Sequence, residues 1–291
     1  MRPDLIKDAR YFQIIFQLGF LSYGIFCLHW NAEWWLYATY FIVSISMQLV
    51  CEMIFKKSTL QIFSTGCWVK IKAGIPSALI SSFGLSLLLK TNHIEIAGLA
   101  AVVSILSKYI IRVNGKHIFN PSALGIVTTL FFTKDAWIST GQWGSNLVLF
   151  FGIVCFGFIV VTRVQKLDLS LAFLGTFACL LFIRQVVFIG WPLDYFIQSV
   201  STGSLLLFSF FMITDPKTTP NHAFARIIWA TAIAVIAFYL SSFQFLNGAP
   251  IWVLVFAQPF VPLLDKVFKG KLFEWKDPLN IVTKHTIKAA F

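Results

Sequence analysis

Long apolar runs separated by short polar turns set the pattern of this chain. With a span taken as roughly 20 apolar residues, fewer where a helix is broken, about ten segments emerge. They lie near residues 11–30, 34–55, 75–89, 94–111, 119–133, 145–162, 169–190, 201–214, 224–243 and 249–267. The third, fifth and eighth are short and open at Pro, Gly or Ser. Such openings predict half-helices with unwound backbone, tolerated at membrane depth only where protein or a cavity covers it. Two short segments also resemble each other. Residues 76–91 and 201–216 each open on small hydroxyl residues and close on a polar turn. Paired short segments in two halves of a membrane protein point to an internal repeat with a site at the repeat interface.

Composition turns this pattern into a class. Of the 291 residues 58% are hydrophobic and 12% charged, against about 45–50% and about 25% in soluble domains. The chain reads as one all-α polytopic membrane bundle. Its 32 Phe and 10 Trp suit lipid-facing surfaces and interfacial belts. The opening residues 1–10 are charged. The apolar run after them is too long for a signal-peptide core and lacks a clear cleavage site, so it reads as the first spanning helix. The five cysteines form no Cys-x-x-Cys pair and read as small core-like residues, with no metal site or disulfide framework indicated.

A net charge of +11 raises the question of nucleic acid. The basic residues, however, sit in short loops between spans, so no nucleic-acid partner is expected, and the lipid bilayer is the surface they meet. With the N-terminus inside, the inner loops carry Lys56, Lys57, Lys70, Lys72, Arg112, Lys116, Arg163, Lys166, Lys217 and Arg226, while the outer loops carry only Lys90 and Lys134. This bias predicts an even number of spans and both termini in the cytoplasm of a bacterial-type plasma membrane. Residues 75–89 then run outward and 201–214 inward, so the repeat is inverted. The expected organisation is a first five-helix repeat at 1–140, a second at 141–267, and a cytoplasmic tail at 268–291. Residues 56–73 read as the longest inner loop, with an interfacial amphipathic stretch.

Two motifs could carry chemistry. In Phe119-Asn120-Pro121-Ser122-Ala123, Asn120 is a natural N-cap and Pro121 suits the first helical turn. The free N–H groups there can receive an anion or a carbonyl, although a plain capped helix reads equally from the same residues. In Met212-Ile213-Thr214-Asp215-Pro216, the Asp-Pro step stops a helix and begins an ordered turn. Asp215 is either a solvated stop signal or a carboxylate that orients a ligand or a loop. Lys108 and Arg184 lie within apolar spans, at roughly 3 kcal/mol each on insertion scales, and such residues tend to face the bundle interior; Lys108, about one turn from the inner end of its helix, reads also as snorkelling, and Arg184 as either functional or part of a structural ion pair. Glu52 reads as interfacial. No histidine pair is spaced for haem, and no phosphate loop or hydrolase motif appears.

At these residues the chain resembles the family of membrane subunits comprising NqrB, of sodium-pumping NADH:quinone oxidoreductases, and RnfD, of Rnf electron-transport complexes. Four patches carry it: Ser77-Ala78-Leu79-Ile80, Lys108 ahead of Gly115-Lys116-His117-Ile118-Phe119-Asn120-Pro121-Ser122-Ala123, Phe211 to Pro216, and the polar segment to Pro220. The resemblance covers about residues 11–267 and implies a ten-helix fold of two inverted five-helix repeats, similar to ammonium and urea channels. It also implies flavin chemistry, with FMN joined to a Thr in a Ser-Gly-Ala-Thr motif. This chain has no such motif, its corresponding loop reading Trp137-Ile138-Ser139-Thr140-Gly141-Gln142-Trp143-Gly144-Ser145. The expectation is therefore a noncovalent flavin (FMN or riboflavin) or quinone between the repeats, in a subunit of a larger ion-translocating electron-transfer complex. Its expected site residues are Ser77, Lys108, Asn120, Pro121, Ser204, Thr214 and Asp215, with Trp137 and Trp143 available to stack on a ring. A small-solute or ion channel of the same fold, or a scaffold for a neighbouring enzyme, are the alternatives.

Overall fold

A computed structural model describes residues 9–30, 33–55, 65–140 and 147–273. The chain is almost wholly helical. In order it forms α1 (Ala9–Phe26), α2 (Trp34–Phe55), α3 (Thr65–Leu88), β1 (Leu89–Thr91), α4 (Ile94–Ile110), β2 (Arg112–Val113), β3 (Lys116–His117), α5 (Pro121–Phe132) and β4 (Ala136–Ile138). It continues with α6 (Leu147–Val164), α7 (Leu167–Phe182, extended by a π-helical turn Ile183–Phe188), α8 (Leu193–Val200) and α9 (Gly203–Leu207, extended by a π-helical turn Phe208–Met212). It ends with α10 (Ala223–Phe243), α11 (Ala249–Ala257) and α12 (Val261–Val267), the last two joined by a 3-10 turn Gln258–Phe260. Helix is present at every one of the apolar segments read from the sequence.

Among the described residues, four stretches are long and apolar enough to cross a membrane: Trp34–Phe55, Leu167–Phe188, Ala223–Phe243 and Ala249–Val267. A fifth arises if α8 and Gly203–Met212, bent by 46° at their junction, act as one span. Together with shorter apolar helices such as Pro121–Phe132, they make this an all-α integral membrane protein.

One sequence expectation changes. Residues 65–73 are helical, not loop, because α3 starts at Thr65 and passes through Pro76 without stopping; residues 56–64 of the expected loop lie outside the described residues. Glu52, in the last turn of α2, is buried against its neighbours, 4% exposed. It sits one turn from Gln48, whose Nε2 donates to it at 2.9 Å, and within 3.4 Å of the Tyr109 hydroxyl. A carboxylate with such donors tolerates burial.

Small residues let the first helices approach closely. A Cβ at Gly125 of α5 would lie 2.2 Å from Ser104 Oγ and 2.6 Å from the Ala100 carbonyl oxygen of α4. A Cβ at Gly84 of α3 would lie 2.8 Å from Ser122 Oγ. Without a hydrophobic drive between helices in lipid, such backbone approach is the main source of their association. Larger side chains fill the second part: Phe173 of α7 and Phe208 are fully buried, with ring centroids 4.9 Å apart.

The two ends of α5 are each held by a short ribbon. At its start, β2 and β3 pair antiparallel with Arg112 opposite His117. The two residues between them, Asn114 and Gly115, both have positive φ, 51° and 79°, the geometry of a two-residue hairpin turn. At its far end, β1 pairs with β4, Lys90 opposite Trp137.

Candidate functional site

Asn120 is the hub of the candidate site. Its side-chain oxygen accepts from Ala123 N at 3.2 Å and Ser122 Oγ at 2.9 Å, capping α5. Its Nδ2 donates to the Met212 carbonyl at 3.1 Å, and its own N–H donates to Gln258 Oε1 at 2.9 Å. One buried residue, through its side chain and its own N–H, thus joins three widely separated stretches of sequence. The cap was legible from Asn-Pro; the two long-range partners were not.

Beside this hub lies a cleft enclosing about 90 Å³, room for several waters. Five expected site residues line it: Ser77, Asn120, Pro121, Thr214 and Asp215. Lys108 stands directly behind the wall, with Nζ donating to the Ser77 carbonyl at 2.9 Å and Ser77 Oγ at 3.2 Å. Ser204 does not line the cleft. It sits in the first turn of α9, ten residues before Thr214, roughly 15 Å along a helix. Trp137, in β4, lies past the opposite end of α5, and Trp143 falls outside the described residues. Arg184 is also elsewhere: its Nη1 donates to the Ser242 carbonyl and its guanidinium sits 4.4 Å above the Phe243 ring.

The structure adds residues that the sequence reading passed over. His117 lines the cleft, its Nε2 3.5 Å from Asp215 Oδ2. The signal for its placement was the Asn114-Gly115 turn, which folds β3 back towards the α5 cap. Gln13 and Gln17 of α1 line it as well, together with Ser81 of α3. Glutamines four apart in an apolar helix mark one polar face. Gln17 Oε1 is buried with no hydrogen-bond partner among the described residues.

Asp215 is held from two sides, since its Oδ1 accepts from Lys217 N at 3.0 Å. Burial alone would raise its carboxyl pKa. The His117 ring, the Lys217 amide and the Lys108 charge outweigh that penalty, so the carboxyl lies below its ordinary value. Below the cleft the turn is tied down again: Lys116 Nζ donates to Asp265 Oδ2 at 3.0 Å and the Thr219 carbonyl at 3.1 Å, while Asn221 N donates to Asp265 Oδ1 at 2.7 Å. Lys166, at the head of α7, is 4% exposed. Burial and the neighbouring Arg226 charge bring it down to about 8.

The class defined by these features is an integral membrane protein of helices with a polar cleft at the capped end of α5, walled by α1, α3, α6 and the turn after α9. The NQR2, RnfD, RnfE family model matches residues 129–274, half of the chain, and the chain belongs to that family. Over 132 residues it is 27% identical to the D subunit of the ion-translocating oxidoreductase complex of Halorhodospira halophila (strain DSM 244 / SL1), an alignment covering 45% of this chain and 35% of that protein. The chain thus spans about a third of the length of that curated relative. The family match holds the Asp215 turn; Ser77, Lys108 and the Asn120 cap precede it.

Proposed function

We propose that this chain is an integral-membrane subunit of an Rnf/Nqr-type ion-translocating oxidoreductase, and that its cleft holds the ring of a noncovalently bound flavin or quinone. Family membership supports the first part, and the relative's name as a complex subunit supports other subunits as partners. The observation that carries the second part is the Asn120 hub. It fixes a polar cleft where α5 meets the Asp215 turn.

The residues present fit such a ring. A flavin's polar edge alternates carbonyl and N–H groups and a quinone presents carbonyls, and the cleft offers Gln13, Gln17, Ser77, Ser81 and Ser122 around it. Gln17 Oε1 is an acceptor that a ring N–H would satisfy, removing the cost of a buried orphan. Ile80, Val160, Val164 and Phe211 supply apolar faces. A bound flavin or quinone would supply the electron-carrying ring; the chain's part is binding, orientation and electrostatics. Asp215 orients His117 through its Nε2 at the edge of the cleft. Lys108 places a cation behind Ser77.

The architecture we propose is ten spans in two inverted five-helix repeats, 1–140 and 141–267, with a cytoplasmic tail at 268–291, in a bacterial-type plasma membrane with both termini inside. A helix at each apolar segment and the loop-charge bias support it.

Visible absorbance of the purified chain, before and after acid precipitation, tests the proposal, together with solvent extraction for quinone. Flavin colour moving to the supernatant, or quinone in the extract, is the expected result. Colour kept in the pellet would mean a covalent flavin and overturn the noncovalent assignment. A folded, colourless chain with no extractable quinone would overturn ring binding.

A further inference from the structure

A second cavity adjoins the polar cleft. It encloses about 170 Å³, and His117 and Lys217 line both spaces. These two residues therefore stand as the partition between them. Asp215 holds both: its Oδ2 lies 3.5 Å from His117 Nε2, and its Oδ1 accepts from the Lys217 N–H at 3.0 Å. The other polar walls of the second cavity are Asn114, Lys116, Thr218, Asn221 and Asp265. A space of this size among so many polar groups suits water rather than hydrocarbon.

Another wall comes from the chain that follows α12. Past Val267, residues 268–273 have no regular secondary structure, and Lys269, Gly270, Lys271 and Leu272 are exposed. The stretch is nonetheless laid closely over the turn after Asp215. A Cβ at Gly270 would lie 2.8 Å from Asn221 C and from His222 N, so the two backbones touch and a larger residue does not fit without displacing one of them. Lys217 Nζ donates to the Phe273 carbonyl at 3.2 Å. The Phe268 ring lies 6.0 Å from the His222 ring and 5.9 Å from Phe224. Leu272 lines the second cavity itself. An irregular, exposed stretch of this kind opens locally at lower cost than the packed helices beneath it.

We propose that the second cavity is the route by which water and small hydrophilic species reach the polar cleft, and that residues 268–273 are the strap that closes it. His117 and Lys217 face the cleft on one side and the route on the other. The Lys217 hydrogen bond to Phe273 ties this partition to the strap. Lifting the strap breaks that bond and takes Leu272 out of the cavity wall, so the route opens and the partition loosens together. The proposal goes beyond the reading of the cleft as a ring site: it concerns access to the cleft and stands whichever ligand the cleft takes.

The test is the accessibility of a cysteine placed inside the cleft. Ser81→Cys lies in the cleft wall, and Lys266→Cys, on an exposed position of α12, is the control. Each full chain in mild detergent is treated with the water-soluble anionic reagent sulfonatoethyl methanethiosulfonate. Labelling is read at the introduced residue by peptide mass spectrometry, so the native cysteines stay in place. Ser81→Cys should label slowly beneath the native strap. Gly270→Leu, which cannot pack against Asn221 and His222, should raise that rate at least about tenfold and leave Lys266→Cys unchanged. Val113→Trp, which fills the second cavity from its wall, should cancel the increase in the Gly270→Leu chain. Ser81→Cys labelling as fast as Lys266→Cys beneath the native strap would overturn the proposal. So would an unchanged rate in a Gly270→Leu chain with native circular dichroism, or an increase that Val113→Trp leaves intact. Should Gly270→Leu misfold, Phe268→Ala, which only removes the ring beside His222 and Phe224, should raise the rate as well, and no increase there would equally overturn the proposal.

Discussion

The two patches that look alike in sequence, 76–91 and 201–216, are built differently. The first lies within the 24-residue helix α3, which carries Pro76 in its interior, and then passes into strand β1. The second begins at a break between α8 and α9, bends by 46°, and ends in a π-helical turn. Their hydroxyls behave alike: Ser81 donates to the Ser77 carbonyl at 3.0 Å, and Ser209 donates to the Leu205 carbonyl at 2.7 Å. Each bonds back one turn, so the side chains do not make the difference. The backbone does. In the second patch a carbonyl at the helix end, that of Met212, is used by Asn120, and Asp215 is turned towards His117. The first patch supplies walls to the cleft; the second supplies its polar corner. A proline alone does not break a helix here. The helix end at Met212 falls where another element, Asn120 at the head of α5, is placed to use the freed carbonyl.

The largest expected effect comes from removing the link between the second patch and α5. Asn120→Leu takes away the α5 cap and leaves the Met212 carbonyl with only the long Asp215 N–H contact at 3.4 Å. With about 1–3 kcal/mol for each stranded buried group, it should lower the thermal midpoint by several degrees and cut ring retention at least about tenfold. Ser204→Ala, at the other end of the second patch, should leave retention unchanged. Absorbance of the purified variants and a thermal melt check both; wild-type retention in a folded Asn120→Leu chain would sever the hub from the site.

A smaller change is expected in the first patch. Pro76→Ala restores the missing N–H in the interior of α3, where proline costs up to about 3 kcal/mol. The variant should melt higher and retain its ligand as before. A drop in retention would show that the proline shapes the cleft wall after all.

The smallest effect is a pH dependence at the polar corner. The folded Asp215 carboxyl lies below its ordinary value. Its stabilising contribution is therefore fully present above the unfolded value of about 3.9. It is lost as pH falls through that value and then through the lower folded one. Thermal melts from neutral pH to about pH 3 should show wild type losing more stability than Asp215→Asn over that window. Parallel curves would show that the His117 and Lys217 contacts contribute nothing.

Much of the helical framework was legible because a membrane span states itself in one-dimensional form: an apolar run of the right length, bounded by charge. Asn120-Pro121 announced the start of α5 for a local reason, since cap and first turn are contiguous. The α3 start was missed because lysines at 70 and 72 read as loop, although a helix can carry them past the apolar core. The contact of Glu52 with Tyr109 was not legible because the two lie 57 residues apart. His117 and the α1 glutamines were passed over for the same kind of reason. Each is ordinary in its own segment and acquires a role only from what faces it.

The sequence by itself therefore determined a membrane-embedded, helical chain, most of its segment boundaries apart from the start of α3 and the short helix α8, the α5 cap and the Asp215 turn. Only the tertiary structure decided that Asn120 meets Met212 and Gln258, that Lys108 stands behind Ser77, and that Ser204 and Arg184 stand apart from the cleft. The physical reason is range. Hydropathy and capping act within a turn or two of one helix, whereas a cleft is made by pairings between helices. Those pairings are set by where glycine and alanine let backbones approach, as Gly125 does against Ala100.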